Sequence, residues 1–309
     1  MEIEIIQDFC AEFDYPNAIC EALQNAYARI AANGEATNLL KQNRQLLWDD
    51  QFGEMGEELI RLDKIAEITE LHPYTIYLLF YVLCAPEAKR RYQDQGISPD
   101  IYRSSMLALK WKMQKTCRIY GIPGTGWAMW FRPFFQLRRF GIGRLEFELS
   151  PSEADYQKGN NRVRRGDTVI NVHIPASGPL NHDAVLESYR RAADFFRASF
   201  PNGVVTFQCH SWLLYPPVLE MVPQGNLWTF SRDYEIVDVQ DVSPEDDRWR
   251  VFHVPNTVPV EAYPEDTTLQ RRLKAWLLEG HTMGAGLGMF FYTAGAVAAH
   301  DNGQIRNAG

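Results

Sequence analysis

The sequence predicts an α+β protein in which an all-helical amino-terminal half precedes a mixed α/β half built on a central βαβ unit. Apolar residues recur every three or four positions through the first 118 residues, as in helices. Later stretches have strand character, and two of them, at 168–174 and 204–214, flank an amphipathic segment at 181–200. With 309 residues, 46% of them hydrophobic and 23% charged, the chain is long enough for two globular domains.

Helical periodicity dominates the first half. One stripe, which ends at the stop signal Asn33-Gly34, consists of apolar residues three and four positions apart: Ile19, Leu23, Ala26, Tyr27 and Ile30. Further helices are predicted over residues 52–68, 73–84 and 99–120, where Pro99 suits an opening turn. No β-branched alternation interrupts them, so this half is expected to be all-α.

The composition changes at IPGTGWAMWFRPFF, where glycines and prolines break regular structure and aromatic residues crowd together. We place the domain boundary here, with an all-helical domain over residues 1–122 and an α/β domain over 123–309. Packing between the two domains is the favoured use of these aromatic residues, and the lining of a ligand cleft is the alternative.

The second half alternates strands and helices. Residues 144–149 (RLEFEL) predict a strand with one buried face, and strand, helix and strand follow over 168–174, 181–200 and 204–214. That order implies a parallel βαβ unit with a right-handed crossover. The remaining expectations are a short helix after Pro216-Pro217, a hairpin between 235–242 and 248–254, a helix over 267–279 ended by Gly280, and a last strand at 289–293.

Each of the three strands carries one polar face. Side chains alternate along a strand, so the polar residues on one side are Asn171 and His173, then Gln208, His210 and Trp212, then Arg144, Glu146 and Glu148. Strands packed between helix layers are normally apolar on both faces. The polar face therefore meets solvent or another domain, or it lines a cavity where His173, His210 and a carboxylate converge for acid/base chemistry.

Other catalytic constellations receive little support. Cys209 and His210 are adjacent, so on a strand they point to opposite faces and cannot form a Cys/His pair. Ser177 lacks the GxSxG elbow of hydrolases. The five cysteines form no CxxC pair, and metal binding by His173, His182 and His210 stays an alternative without HExxH or comparable spacing. We therefore predict no metal site.

Charge and composition limit the classes of partner that the protein is expected to bind. The net charge is -8, and basic residues occur in small clusters at 162–165 and 271–272, which disfavours nucleic acid but leaves a small phosphorylated ligand open. The start, MEIEIIQDF, lacks a signal peptide's basic region. The apolar runs at 74–85 and 289–299 fall short of the roughly 20 residues of a membrane span. A cytoplasmic protein with no membrane partner is expected.

The loop over residues 175–181 leads from a strand to the amino end of a helix, where Asn181 can cap and backbone N–H groups can meet an anion. Gly178 gives the loop room for close approach. A pyrophosphate could dock there, although Asp183 would oppose it. An ordinary βα turn is the alternative.

Three stretches, RFGIGRLEFEL, VINVHIPASGPLNHDAVLESYRRAADFF and FQCHSWLLYPP, resemble bacterial acyltransferase-domain proteins. These proteins pair a helical N-acyltransferase amino-terminal domain with a carboxy-terminal domain like those of the general N-acetyltransferase (GNAT) superfamily. The resemblance covers nearly the whole chain and implies a GNAT-like second half, whose central strand, acyl-coenzyme-A-binding helix and following strand correspond to the βαβ unit. The implied pyrophosphate loop comprises Ala176, Ser177, Gly178, Leu180 and Asn181.

The loop departs from the superfamily in one respect. The expected Arg/Gln-x-x-Gly-x-Gly/Ala pattern is missing from PASGPL, and its letters at 138–143 precede a strand rather than opening a helix. The glycines at 284, 286 and 288 follow a predicted helix, so we interpret them as a carboxy-terminal turn.

The resemblance implies an acyl-CoA-dependent N-acyltransferase that transfers the acyl group directly from the thioester to a small-molecule amine. The base would be His210 or His173, with Glu146 as the carboxylate alternative, and central-strand N–H groups would stabilise the oxyanion. Tyr234 or Tyr292 would protonate the leaving thiolate. The alternatives are a non-catalytic ligand- or partner-binding protein on the same scaffold and, with less support, a hydrolase. Acceptor identity, acyl length and oligomeric state are not determined by the sequence.

Overall fold

The fold is α+β, as predicted, with a helical first half and a mixed sheet covered by helices in the second. The computed structural model describes residues 2–52, 56–242 and 247–293. The helices of the first half are α1 (Glu2–Glu12), α2 (Asn17–Ala31), α3 (Gly34–Trp48), α4 (Glu57–Thr69), α5 (Pro73–Asp94) and α6 (Pro99–Tyr120).

The helical periodicity predicts most of this half correctly. The apolar stripe of α2 is buried, and Asn33 separates α2 from α3 as expected, because its side chain caps α3 by accepting from the Ala36 N–H at 3.0 Å. The helix predicted to begin at residue 52 begins instead at Glu57, after Gly56 with its positive φ of 101°, and α5 continues beyond 84 to Asp94.

The aromatic residues of the connector between the halves divide between the apolar core and the wall of a cavity. It forms a 3-10 turn (Ala128–Trp130) and the short helix α7 (Arg132–Phe135). Phe131 and Phe135 are buried, with ring centroids 5.4 Å and 4.9 Å from that of Tyr81 in α5. Trp130 instead lines a cavity described below.

The second half is a six-stranded mixed sheet with the strand order β1-β2-β5-β6-β8-β7, and β3 and β4 form a separate hairpin. The strands are β1 (Arg139–Ile142), β2 (Leu145–Pro151), β3 (Tyr156–Lys158), β4 (Asn161–Val163), β5 (Thr168–His173), β6 (Val204–Ser211), β7 (Glu235–Gln240) and β8 (Ala285–Thr293). The helices are α8 (His182–Phe195), α9 (Pro216–Met221), α10 (Asn226–Ser231), α11 (Arg248–Phe252) and α12 (Thr268–Leu278).

The βαβ unit of β5, α8 and β6 is confirmed, and β5 and β6 are parallel. The predicted hairpin between 235–242 and 248–254 is wrong, because β7 pairs with β8 and residues 248–252 form α11. β6 ends at Ser211, so Trp212 lies in a 3-10 turn rather than on the strand face. The sequence also gave no indication of β1, β3 or β4.

The glycines near the carboxy terminus are strand residues, which corrects their interpretation as a turn. β8 begins at Ala285 and contains Gly286 and Gly288. A Cβ at Gly286 would lie 2.3 Å from the Leu214 carbonyl oxygen, and one at Gly288 would lie 2.7 Å from Tyr234 Cβ. Glycine is therefore required because neighbouring segments pass directly over the strand.

One apolar core spans both halves. Helix α6 lies against β1, where the Gly141 N–H donates to Ser105 Oγ at 2.8 Å, and Tyr92 donates to the Phe134 carbonyl at 3.0 Å. All five cysteines are free. Over the described ranges, no single helix is long and apolar enough to cross a membrane, whereas α4 and α5, bent by 117°, pass that length and composition test only as a pair.

The contact between α6 and β1 gives a stability test. Gly141→Ala would place a Cβ 2.6 Å from the Ser104 carbonyl carbon, so the backbones must separate, and we expect the free energy of unfolding to fall by about 1–3 kcal/mol. Gly34→Ala is the control, since a Cβ there would have no atom of another segment within 4 Å. Urea denaturation of both variants measures the difference, and equal stabilities would contradict this account of the packing.

Candidate active site

The polar faces predicted for the separate strands form one continuous surface. Strand register places Glu146 opposite His173, Glu148 opposite Asn171, and Asn171 beside Gln208. His210 lies two residues beyond Gln208 on the same face of β6. The structure therefore brings together the two histidines and the carboxylate that the alternation pattern proposed. Arg144 lies in the β1–β2 turn rather than on a strand.

A cavity opens where β5 and β6 separate. Their pairing covers Ile170 with Phe207 and Asn171 with Gln208, and no pair is recorded further along. His173 and His210 each lie two residues past the last pair, and both line a cavity of about 640 Å³. This volume is within the usual range for small-molecule sites.

The helical half contributes the facing wall. Ala108, Trp111, Lys112 and Lys115 of α6 line the cavity. Their spacing of three and four residues places them on one helical face. Sequence reasoning missed this wall, although its periodicity was visible in ALKWKMQK, because nothing local indicates which strand edge a helix will face.

His173 is held by a buried chain of charges. Its Nε2 lies 2.6 Å from Glu148 Oε1, and Arg139 donates to the same carboxylate through Nε at 3.1 Å and Nη2 at 2.9 Å. Burial opposes ionisation of Glu148, but the hydrogen bonds from His173 and Arg139 outweigh it and lower the Glu148 pKa to about 2. The Glu148 carboxylate is therefore ionised at neutral pH.

The state of the His173 ring follows from these contacts. Its side chain is only 18% exposed, and burial lowers the His173 pKa below the usual range despite the opposing effect of Glu148. The neutral ring donates its Nε2 proton to Glu148, which leaves the lone pair on Nδ1. Such a ring is suited to accept a proton.

His210 has the opposite tendency. Its Nδ1 lies 3.2 Å from Glu153 Oε2, and this hydrogen bond raises the His210 pKa above its usual range. Buried Gln208 positions Glu153, because its Oε1 accepts from the Glu153 N–H at 3.1 Å while its Nε2 donates to Ser150 Oγ at 3.1 Å. The sequence did not predict Glu153 as a site residue. It lies in an irregular segment, where no periodic pattern indicates the direction of its side chain.

Glu146 lies in the same cavity. Burial raises its pKa, and Trp130 Nε1 donates to its Oε2 at 3.3 Å. The Trp130 ring also meets His173 edge to face, with centroids 4.9 Å apart. Glu146 therefore remains the carboxylate alternative to a histidine base.

The loop after β5 is held by Arg144. Its guanidinium donates to three loop carbonyls, those of Pro175 at 3.0 Å, Pro179 at 3.0 Å and Gly178 at 2.6 Å. Gly178 has a φ of 111°, which favours glycine.

Three of the five expected loop residues, Ala176, Gly178 and Leu180, line the cavity. The other two, Ser177 and Asn181, are not among its lining residues. Asn181 caps α8, because its side chain accepts from the Ala184 N–H at 3.1 Å. The loop therefore reaches the cavity through its middle residues.

The two tyrosines expected as acids are not among the residues that line the cavity. Tyr234 is buried beside α8, with its hydroxyl 2.9 Å from that of Tyr189. The Tyr292 ring packs near Phe207, which points to the face of β6 opposite His210. Cys209 is also buried, and burial raises the pKa of its thiol to about 12, which disfavours the nucleophilic thiolate at neutral pH.

His182, the third histidine considered for metal binding, lies elsewhere and pairs with Asp233 at 2.8 Å. In the part of the chain that the structure describes, no group of three or more His, Cys, Asp or Glu residues could hold a metal ion.

The sheet order, the separation of the parallel pair and the cavity at that point are consistent with a GNAT-like fold. Residues 4–137 match the N-acyltransferase N-terminal domain, and residues 139–290 match the GNAT-like C-terminal domain. The chain belongs to the family of acyltransferase-domain proteins that combine these two domains. The matches meet at residues 137–139, after the aromatic connector.

Solved structures share this fold at low sequence identity. An acyltransferase in complex with decanoyl-CoA and teicoplanin is 20% identical, with a TM-score of 0.68 over 92% of this chain and 87% of that one. An acyltransferase in complex with CoA and 10C-teicoplanin has the same identity and TM-score, over 92% and 86%. A mutant acyltransferase with octanoyl-CoA is 20% identical, with a TM-score of 0.67 over 93% and 87%. No curated protein matches the sequence significantly.

The two histidines should titrate apart. We expect NMR titration to give a pKa below about 6.5 for the His173 imidazole and above it for His210, with His173→Ala and His210→Ala providing the assignments. Glu153→Gln removes the carboxylate that stabilises protonated His210, so the His210 pKa should fall by more than that of His173, which has no hydrogen bond to Glu153. Overlapping titrations in the wild-type protein would refute the assignment.

Proposed function

We propose that this protein is an acyl-CoA-dependent N-acyltransferase that moves an acyl group directly from the thioester to the amine of a small molecule. The observation that carries the proposal is the position of His173 and its contact with Glu148. Its ring is tied to an ionised carboxylate at Nε2 and lies in a cavity at the point where β5 and β6 separate. The complexes of structurally similar acyltransferases with decanoyl-CoA and octanoyl-CoA support an acyl-CoA donor.

The donor's pyrophosphate would bind at the loop after β5. The loop carbonyls that accept from Arg144 are directed toward its guanidinium, and the next element, α8, begins at His182. Among the described residues, no hydrogen-bond partner is recorded for the backbone N–H groups of Ala176, Gly178 and Leu180. Arg144 thus adds the positive charge that the loop sequence lacks, while free N–H groups and the helix dipole favour an anion.

The chemical step would use the two histidines in different roles. His173 Nδ1 accepts a proton from the acceptor amine as its nitrogen attacks the thioester carbonyl, and Glu148 stabilises the resulting imidazolium. Beyond Asn171, the N–H groups of β5 that point toward β6 have no strand partner and can donate to the tetrahedral oxyanion. When the C–S bond breaks, protonated His210 gives its proton to the departing thiolate, the role first assigned to a tyrosine.

Binding of the donor is the first test. Arg144→Gln removes a charge and loosens the loop, so we expect the dissociation constant of decanoyl-CoA to rise about tenfold or more, measured by isothermal titration calorimetry. Arg138→Gln is the matched control, since Arg138 is exposed and pairs with Asp50 away from the cavity. No binding of acyl-CoA by the wild-type protein would end the proposal.

Catalysis is tested separately. His173→Ala should lower kcat by about 10²–10⁴-fold with little effect on donor affinity, and Glu148→Gln should lower it in the same direction. Release of CoA thiol, followed with a panel of amines, measures the rate. If acyl-CoA binds and no amine yields product, the alternative of a non-catalytic binding protein holds instead. A wild-type rate in His173→Ala would exclude His173 as the base.

The pH dependence of that rate has a defined sign. The base must be neutral and the acid protonated, so kcat/KM should rise as pH increases through the low His173 pKa and fall as it increases through the raised His210 pKa. Glu153→Gln should move the alkaline limb to lower pH by more than it moves the acid limb. An alkaline limb that does not move would assign the acid to another group.

A further inference from the structure

A cluster of cations and indole rings, contributed by α6, the aromatic connector and α11, lies at one wall of the cavity. Lys112 Nζ lies 4.7 Å from the Trp130 ring centroid and 5.4 Å from that of Trp127. The Trp127 ring stacks on Trp249 with centroids 4.6 Å apart. Lys115 Nζ is 4.3 Å from the Trp249 ring. The cluster is connected to the proposed base through Trp130, whose ring also makes the edge-to-face contact with His173.

The charged side chains of this cluster line the cavity. Lys112, Lys115 and Arg250 all line it, and Arg250 also lies over the Trp249 ring at 4.4 Å. The nearby carboxylate of Asp247 forms an ion pair with Arg250. Asp247 and Glu146 also line the cavity, and burial raises the pKa of Glu146. Among the described residues of this region the three cations therefore outnumber the two acidic side chains, although the whole chain has a net charge of -8. A positive concave surface in an acidic protein attracts anions.

Lys115 lies at the centre of the cluster. Burial, followed by repulsion from Arg250 and Lys112, lowers its pKa to about 7. Within residues 2–52, 56–242 and 247–293, no carboxylate forms an ion pair with it, and its recorded contact is with the Trp249 ring. An anion placed here would meet a partly buried ammonium group at low dielectric, where such a pair is stronger than at an exposed site.

We propose that Lys115, with Lys112 and Arg250, binds an anionic group on the acceptor, so that the substrate class is amines that also carry a carboxylate or phosphate. This inference rests on the proposed function, since it names the acceptor of that transfer. The donor's phosphates are assigned to a different part of the same cavity wall, which is formed by Arg144 and the loop over 175–180. The cationic cluster is built from α6 and α11.

Binding of the anionic group should be accompanied by the uptake of a proton at Lys115. The groups that act on Lys115 are Lys112 and Arg118 on its own helix, Arg250 and Asp247 at α11, and His253, whose pKa is lowered by burial and by Lys115. Asp247 favours the charged ammonium and the cations oppose it. An incoming anion raises the pKa of Lys115, so the site takes up a proton near pH 7, and acceptor affinity falls as pH rises above that range.

The experiment compares acceptors that differ only in charge: an amino acid with its amide, and an aminoalkyl phosphate with its amino alcohol. With decanoyl-CoA as donor, we expect at least one anionic member to have about tenfold or higher kcat/KM than its neutral partner. Lys115→Met should bring that ratio close to one through acceptor KM, and Lys115→Arg should retain it. Arg103→Met is the control, since Arg103 is exposed on the same helix, does not line the cavity and is not among the groups that act on Lys115.

Two results would overturn the inference. One is equal use of both members of every pair. The other is a loss of decanoyl-CoA affinity in Lys115→Met as large as the loss of transfer, which would assign the cluster to the donor.

Calorimetry of the same panel without donor, in two buffers of different ionisation enthalpy, measures anion binding and proton uptake independently of turnover. If the protein binds no acyl-CoA, the proposed function fails. Lys115-dependent anion binding would still support this site, and its absence would refute it.

Discussion

The divergence of β5 from β6 is the constraint on which the site depends. The two strands pair over Ile170–Asn171 and Phe207–Gln208 and then separate. The separation is possible because each strand keeps another partner: β5 stays paired with β2 as far as His173, and β6 stays paired with β8 as far as Ser211. Backbone groups on the inner edges are released while the rest of the sheet stays closed, so the cavity forms inside a rigid frame.

The buried charges of this frame are each held by a specific partner. Glu148 is shared by Arg139 and His173, and Glu153 reaches His210 because Gln208 holds its segment. A charge taken out of water is costly unless it is paired and hydrogen-bonded. One histidine is mostly buried beside a carboxylate whose charge is already paired with Arg139, and the other is half-buried beside a more exposed carboxylate. Burial dominates for His173 and the carboxylate dominates for His210, so two identical side chains on one sheet face acquire opposite tendencies.

The helical half is part of the site rather than a cover over the sheet. Its core is continuous with that of the sheet domain, and the close approach of α6 to β1 at Gly141 leaves no room for a side chain. That contact fixes where the following turns of α6 lie, and they carry Lys112 and Lys115 into the cavity. Packing of the two halves therefore decides the charge of the wall opposite His173.

The sequence alone determined the α+β class, the βαβ unit and the faces of its strands. Alternation is a local property, so a single segment showed that Asn171 and His173 lie together, and resemblance added the family. The order of β8 between β6 and β7, the pairing of Glu153 with His210 across 57 positions, and the approach of α6 were decided only by the tertiary structure. These features join segments that are distant along the chain. Their geometry comes from packing a shared core, and local periodicity carries no information about it.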